Sequence, residues 1–152
     1  MHVEERNIVE REVRIAARPE TVFEFFTDPD KMIQWKGRKA ELDPRPGGIY
    51  RVDINDRAVA RGEYVEIDPP RRVVFTWGWE SEGEGHAVLP GSSRVEISLE
   101  PDGEGTIVRL RHFDLPDEAL EIHGQGWDLF LGRLAKAAVG EDPGPLPAPE
   151  SD

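Results

Sequence analysis

Apolar residues recur along this chain with two different periods, and each change of period marks a new element. Val9, Val13 and Ile15 alternate with Glu10, Glu12 and Arg14, the period of two expected of a strand with one buried face. Gly48, Tyr50, Val52 and Ile54 repeat it, followed by a strand over Ala58 to Ile67 and a turn at Asp68-Pro69-Pro70. Val73, Phe75, Trp77 and Trp79 share one face of the next strand, and Val95, Ile97 and Leu99 share a face of another. Pro101-Asp102-Gly103 predicts a hairpin into a last strand that points Thr106, Val108, Leu110 and His112 the same way. Ser81 to Gly91, rich in Gly and Glu, reads as a long mobile loop.

Helix starts share one grammar, a proline in the first turn followed by an acid. It occurs at Pro19-Glu20, at Pro29-Asp30 with Asp28 as side-chain cap, and at Pro116-Asp117-Glu118. The first helix carries Val22, Phe23, Phe25 and Phe26 and ends before Asp28. The second is short, to about Trp35, and the third runs to about Val139, where Gly140 supplies a stop. At 100° per residue, Leu120, His123, Gly124, Trp127, Phe130, Leu131, Leu134 and Ala138 fall on one face of this long helix. Gly124 lies on that face although a glycine costs about 1 kcal/mol against alanine in a helix interior, so it admits either a close neighbour or open volume. Ile122 and Leu129 lie on the opposite side, as scattered exposed residues or as a homodimer contact.

One strand, two short helices, about five further strands and a long helix predict an α+β fold, an antiparallel sheet wrapped around one helix. The domain spans residues 1–139. Residues 140–152 alternate prolines with four acids and no base, the composition of an extended flexible tail.

Composition narrows the function classes. The chain has 152 residues, 38% apolar and 33% charged, enough for one well-buried domain. Its net charge is −12, and without the tail's four acids still −8, which excludes a phosphate-neutralising nucleic-acid surface and disfavours anionic membranes. No apolar run approaches the roughly 18 residues of a membrane span, and the first residues lack the apolar stretch of a signal peptide. Cysteine is absent, which removes disulfides, thiol nucleophiles and cysteine-ligated zinc. A cytoplasmic protein is expected.

Several segments are similar to a known family. Ala17-Arg18-Pro19-Glu20-Thr21-Val22-Phe23, then Phe26-Thr27-Asp28-Pro29 and Trp35, resemble the opening of the SRPBCC (START-like, birch-pollen-allergen-like) superfamily. More narrowly, they resemble the group named after the activator of heat-shock-protein-90 ATPase. Pro46-Gly47-Gly48, Gly62 with Glu66-Ile67-Asp68-Pro69-Pro70-Arg71-Arg72, and Phe75-Thr76-Trp77 follow in order. His123-Gly124-Gln125-Gly126-Trp127 is similar to the family's His-x-x-Gly-Trp helix motif. The resemblance covers about residues 7–139. It implies a helix-grip fold, a curved antiparallel sheet gripping the C-terminal helix with two small helices at one end. It also implies a hydrophobic cavity between sheet and helix; relatives bind lipids, sterols, hormones or polyketides, and a few are cyclases or dehydratases. The cochaperone activators in this resemblance carry an additional N-terminal domain for which this chain has no room, so a chaperone partner is not expected.

Known catalytic patterns are missing. The four histidines form no His-x-x-x-His pair; His112, His123 and Asp114 are the nearest to a metal set, and neither a metal nor another cofactor is expected. No serine sits in Gly-x-Ser-x-Gly, and no glycine loop opens a phosphate-binding helix. His112 and His123 are the candidates for proton transfer in an aldol-type cyclisation or dehydration, against a purely structural role for both. Binding a small hydrophobic or aromatic molecule asks for less. Its walls would be Tyr50, Val52, Phe75, Trp77, Ile97 and His112 from the strands, with His123, Trp127 and Leu131 of the long helix opposite. Arg11, in the inward register of Val9 and Val13, would hold an acidic ligand group or pair with a local carboxylate. A ligand-binding protein without turnover is the leading expectation; a cochaperone-like interaction module and a polyketide cyclase or dehydratase using the two histidines are the alternatives.

Overall fold

The computed structural model of the chain describes residues 8–55, 58–80 and 90–144. Seven strands form one antiparallel sheet: β1 (Val9–Ile15), β2 (Lys39–Leu42), β3 (Ile49–Asn55), β4 (Ala58–Asp68), β5 (Arg72–Trp77), β6 (Ser93–Asp102) and β7 (Gly105–Phe113). Their spatial order is β1-β7-β6-β5-β4-β3-β2, so every neighbour but one follows in sequence, and the first strand joins the last. Two short helices, α1 (Pro19–Thr27) and α2 (Pro29–Trp35), follow β1, and the long helix α3 (Leu120–Ala137) lies in the curve of the sheet. This is the helix-grip arrangement.

The elements form for the reasons read from the sequence, with three differences. Asp28 caps α2 by accepting from the Asp30 N–H at 2.9 Å, with Pro29 in the first turn. The long helix begins later than Pro116, because Asp117–Ala119 form a tighter 3₁₀ turn first. Trp79 leaves β5, which ends at Trp77, and makes only an isolated bridge with Ala60. The strand Lys39–Leu42 has no counterpart in the expected elements: at four residues with only half-buried Ala40 and Leu42, its alternation is too short to stand out. The expected loop from Ser81 falls almost entirely outside the described residues.

The inward side chains are those of the expected register. Tyr50, Val52, Tyr64, Phe75, Trp77, Val95, Ile97, Leu99, Val108 and Leu110 are buried and join Leu131 and Leu134 of α3 in one core. The α1–α2 pair closes one end, and polar ties fix it there. Tyr64 donates to the Phe26 carbonyl at 2.8 Å, and the Trp35 indole donates to the Phe25 carbonyl at 2.9 Å. The outward face is a lattice of ion pairs: Arg109 bridges Glu12 and Glu100, Arg111 pairs with Glu10, and Arg72 links Glu66 and Glu96. Such exposed pairs each contribute about 0–1 kcal/mol. A depression of about 470 Å³ on this outer face is lined by Arg61, Glu63 and Thr76 together with Ile49 and Pro90.

Arg133 is the buried charge of α3. Its Nε donates to the Trp35 carbonyl at 2.9 Å and its Nη1 to the carbonyls of Pro143 and Gly144 at 3.3 and 2.9 Å. The first residues beyond the helix are thus held against it, and the rest of the expected tail, 145–152, lies outside the described residues. Ile122 and Leu129 are exposed, as expected, at 53% and 43%. Among the described residues no helix is long and apolar enough to cross a membrane.

Candidate functional site

The site is built where α2 ends beneath α3. Lys36 closes α2 with its N–H bonded to the Met32 carbonyl, and its own backbone is already extended. Gly37 then takes a positive φ of 91° and turns the chain toward β2; a Cβ there would lie 2.6 Å from Val52 Cγ1. This tight exit drives the Lys36 side chain inward, where it is only 2% exposed.

Its ammonium group ends among aromatic rings. Nζ stands 4.2 Å from the centre of the Trp127 ring, 5.6 Å from Trp77, 5.7 Å from Phe130, and 6.0 Å from both Trp35 and Tyr50. It donates to the Tyr50 hydroxyl at a long 3.4 Å. No carboxylate among the described residues lies within ion-pair distance. Burial therefore lowers the Lys36 pKa from 10.5 to about 7. The facing rings oppose that fall, each attracting an ammonium by about 0.5–2 kcal/mol. The same enclosure pushes the Tyr50 hydroxyl well above its ordinary range, so it stays a phenol.

Next to this cage lie the two histidines, their rings 5.9 Å apart. The Trp127 indole N–H, which can only donate, gives its proton to His112 Nδ1 at 3.0 Å. His112 Nε2–H then donates to Ser93 Oγ at 2.8 Å, and Ser93 donates to the Trp77 carbonyl at 2.7 Å. Trp79 Nε1–H donates to His123 Nε2 at 3.1 Å, which leaves His123 Nδ1–H to donate to the Ala119 carbonyl at 2.8 Å. All four imidazole nitrogens are occupied, and both rings are neutral in this pattern. Burial drives the His112 pKa well below its usual value, with His123 and Lys36 adding to the effect. Trp77 contrasts with its neighbours: its Nε1–H is buried without a partner among the described residues.

The sequence thus brings together Tyr50, Trp77, His112, His123 and Trp127 around one point. Val52, Phe75, Ile97 and Leu131 are buried in the core that supports them, Phe75 stacked on Tyr50 at 4.1 Å. Arg11 does not join them. It lies across α3 at the half-exposed edge and pairs with Asp128 at 2.6 Å, the local-carboxylate alternative. Asp114 is exposed just beyond the end of β7, whereas the two histidines are buried. Lys36 was missed: it follows a short helix, where neither period applies. The available signal was scarcity, since only four of nineteen basic residues are lysines.

Gly124 accommodates Arg11. A Cβ there would lie 2.6 Å from Arg11 Nη2, the free end of a flexible side chain. Gly124→Ala is expected to leave stability unchanged or raise it by up to about 1 kcal/mol, because the helix-propensity gain matches or exceeds one exposed ion pair. Urea unfolding checks this, and a loss above about 1 kcal/mol would show that the contact is worth more than such a pair.

Comparisons with known proteins agree with this fold. An AHSA1-like protein of Rhizobium etli, solved by NMR, is 44% identical with a TM-score of 0.71, covering 91% of this chain and 85% of that one. DynU16, from the dynemicin biosynthetic locus, is 25% identical with a TM-score of 0.77; the match covers 90% of this chain, which spans about half (49%) of DynU16. CalU16 of Micromonospora echinospora is 26% identical with a TM-score of 0.68, covering 88% and 76% of the two chains. No curated protein matches. Residues 16–138 match the family described as Activator of Hsp90 ATPase homolog 1-like protein, and with four-fifths of its length inside that match the chain belongs to this family of the SRPBCC superfamily.

Proposed function

We propose that the chain binds a small hydrophobic or aromatic molecule bearing an acceptor oxygen, held between the sheet and α3 and released unchanged. The observation that carries this reading is a pair of buried donors: among the described residues, the Lys36 ammonium has one long bond and the Trp77 N–H has none. Leaving a buried donor unsatisfied costs about 1–3 kcal/mol, more for a charge, and the surrounding rings offer an aromatic ligand area and shape. Phe130 and Trp79 are half-buried and form the rim that entry would displace. Occupied imidazole nitrogens favour binding over acid–base turnover, since proton transfer by either ring first requires breaking a buried bond.

Native mass spectrometry of the purified protein, gentle against denaturing, tests this together with thermal unfolding in the presence of 2-naphthol and 1,8-dihydroxyanthraquinone. At one hundred times Kd a ligand adds about 2.7 kcal/mol, which for this size raises the midpoint by roughly 5–11 °C. The absence of both a bound small molecule and any shift across an extended aromatic and lipid panel would sink the reading.

A further inference from the structure

Resting on the ligand-binding reading above, we infer that the ligand is an aromatic aldehyde or ketone, which Lys36 holds as a reversible Schiff base in the cage of Trp127, Trp77, Phe130, Trp35 and Tyr50.

A lysine kept only to fill this space would do worse than methionine, which has the same unbranched stem and no charge to desolvate. A lysine kept to bind an anion would do best as a cation, beside further charged donors. Here the nearby donors are neutral, the Trp77 N–H and the Tyr50 hydroxyl, and these suit a carbonyl oxygen. The amine itself is 2% exposed and has no carboxylate among the described residues within ion-pair distance, the desolvated setting in which a lysine acts as a nucleophile. Burial supports this: it lowers the Lys36 pKa from 10.5 toward about 7, so far more of the amine is unprotonated at neutral pH than in an exposed lysine. The titratable groups around it are Tyr50 on β3 and His112 on β7, and burial keeps both neutral there.

The chemistry balances without an oxidant or reductant. The Nζ lone pair forms a C–N bond to the carbonyl carbon while the C=O π pair moves to oxygen. That oxygen takes up a proton as the nitrogen loses one, with the Tyr50 hydroxyl placed to relay it, giving a carbinolamine. The C–O bond then breaks and the oxygen leaves as water with the second amine proton, while the nitrogen pair closes C=N. Hydrolysis reverses each step, and a dry cage slows that reversal.

The test uses the full chain, 2-naphthaldehyde at low excess and cyanoborohydride at pH 7, followed by proteolysis and mass spectrometry. The expected product is one adduct, the aldehyde less one oxygen, on the peptide containing Lys36. Labelling of Lys36 should be at least tenfold above that of exposed Lys39 and Lys136, although Lys36 is far less accessible. Binding of 2-naphthylmethanol, which has no carbonyl, is followed in parallel by tryptophan fluorescence. If the alcohol binds but adducts fall on Lys39, Lys136 or the amino terminus, the Schiff-base proposal is overturned while the binding reading stands. If 2-naphthoate binds more tightly than the alcohol and Lys36 stays unlabelled, the lysine is an ion-pair partner and the proposal is again overturned. If neither aldehyde nor alcohol engages the protein, both fall. Lys36→Met should abolish the adduct and keep alcohol binding; should it fail to fold, the wild-type labelling map decides alone.

Discussion

Replacing Lys36 by methionine is expected to raise the free energy of unfolding by about 3–4 kcal/mol at pH 6 and by less than about 1 kcal/mol at pH 10. Unfolded, the amine titrates near 10.5; folded, burial brings it to about 7. At about 1.4 kcal/mol per pH unit that displacement is roughly 5 kcal/mol, and the closest ring returns about 1–2 of it. The sign follows from proton counting. Below pH 7 the amine is charged in both states and the full desolvation cost is present. Between pH 7 and 10.5 the unfolded chain binds the extra proton, so wild-type stability climbs with pH. Above pH 10 the buried tyrosines reverse the trend, since Tyr50 and Tyr64 are held as phenols in the fold and ionise when it opens. Wild type should therefore be most stable just below pH 10, and Lys36→Met nearly flat from 7 to 10. Urea unfolding across that range decides it; a flat wild-type profile would mean that the amine reaches water.

His112→Leu is expected to cost about 2–4 kcal/mol at pH 8. The substitution leaves the Trp127 indole N–H without its acceptor and removes the donor to Ser93, in a region where neither can turn to solvent. The penalty should shrink in acid. Because burial depresses the folded pKa of His112, only the unfolded chain takes up its proton as pH falls below 6.5, and wild type alone loses stability there. Urea unfolding at pH 8 and 5.5 reads both effects. A neutral substitution at pH 8 would remove the histidine from the polar network and restore it as a candidate proton carrier.

The sheet was largely legible because one buried face imposes a strict alternation, and Tyr50, Phe75, Val95 and Leu110 obey it. The helix starts were legible from Pro19, Pro29 and their acids. What escaped lies where burial comes from a second neighbour. Arg133 sits about 120° around α3 from Trp127, on a side that periodicity assigns to solvent. It is buried because the α2 end and the chain at Pro143 and Gly144 cover it. Lys36 is hidden for a similar reason: apart from Trp35, its environment comes from α3 and three strands rather than from its sequence neighbours. The pairing of His112 with His123 followed from two inward registers. That both rings would be fully occupied depended on Ser93, Trp79 and the Ala119 carbonyl, whose positions no register predicts.

The pairing of β1 with β7 sets an order of assembly. Val9 lies opposite His112, so the first strand waits for a partner roughly a hundred residues downstream. During synthesis at about 5–20 residues per second that wait lasts roughly 5–20 s, with an unpaired strand edge facing every other chain nearby. Glu10, Arg11, Glu12 and Arg14 interrupt that strand at every second position or closer, which makes it a poor template for self-association. The side chains that finally pair with Arg109 and Arg111 thus serve earlier as a guard, keeping the strand soluble until its own partner arrives.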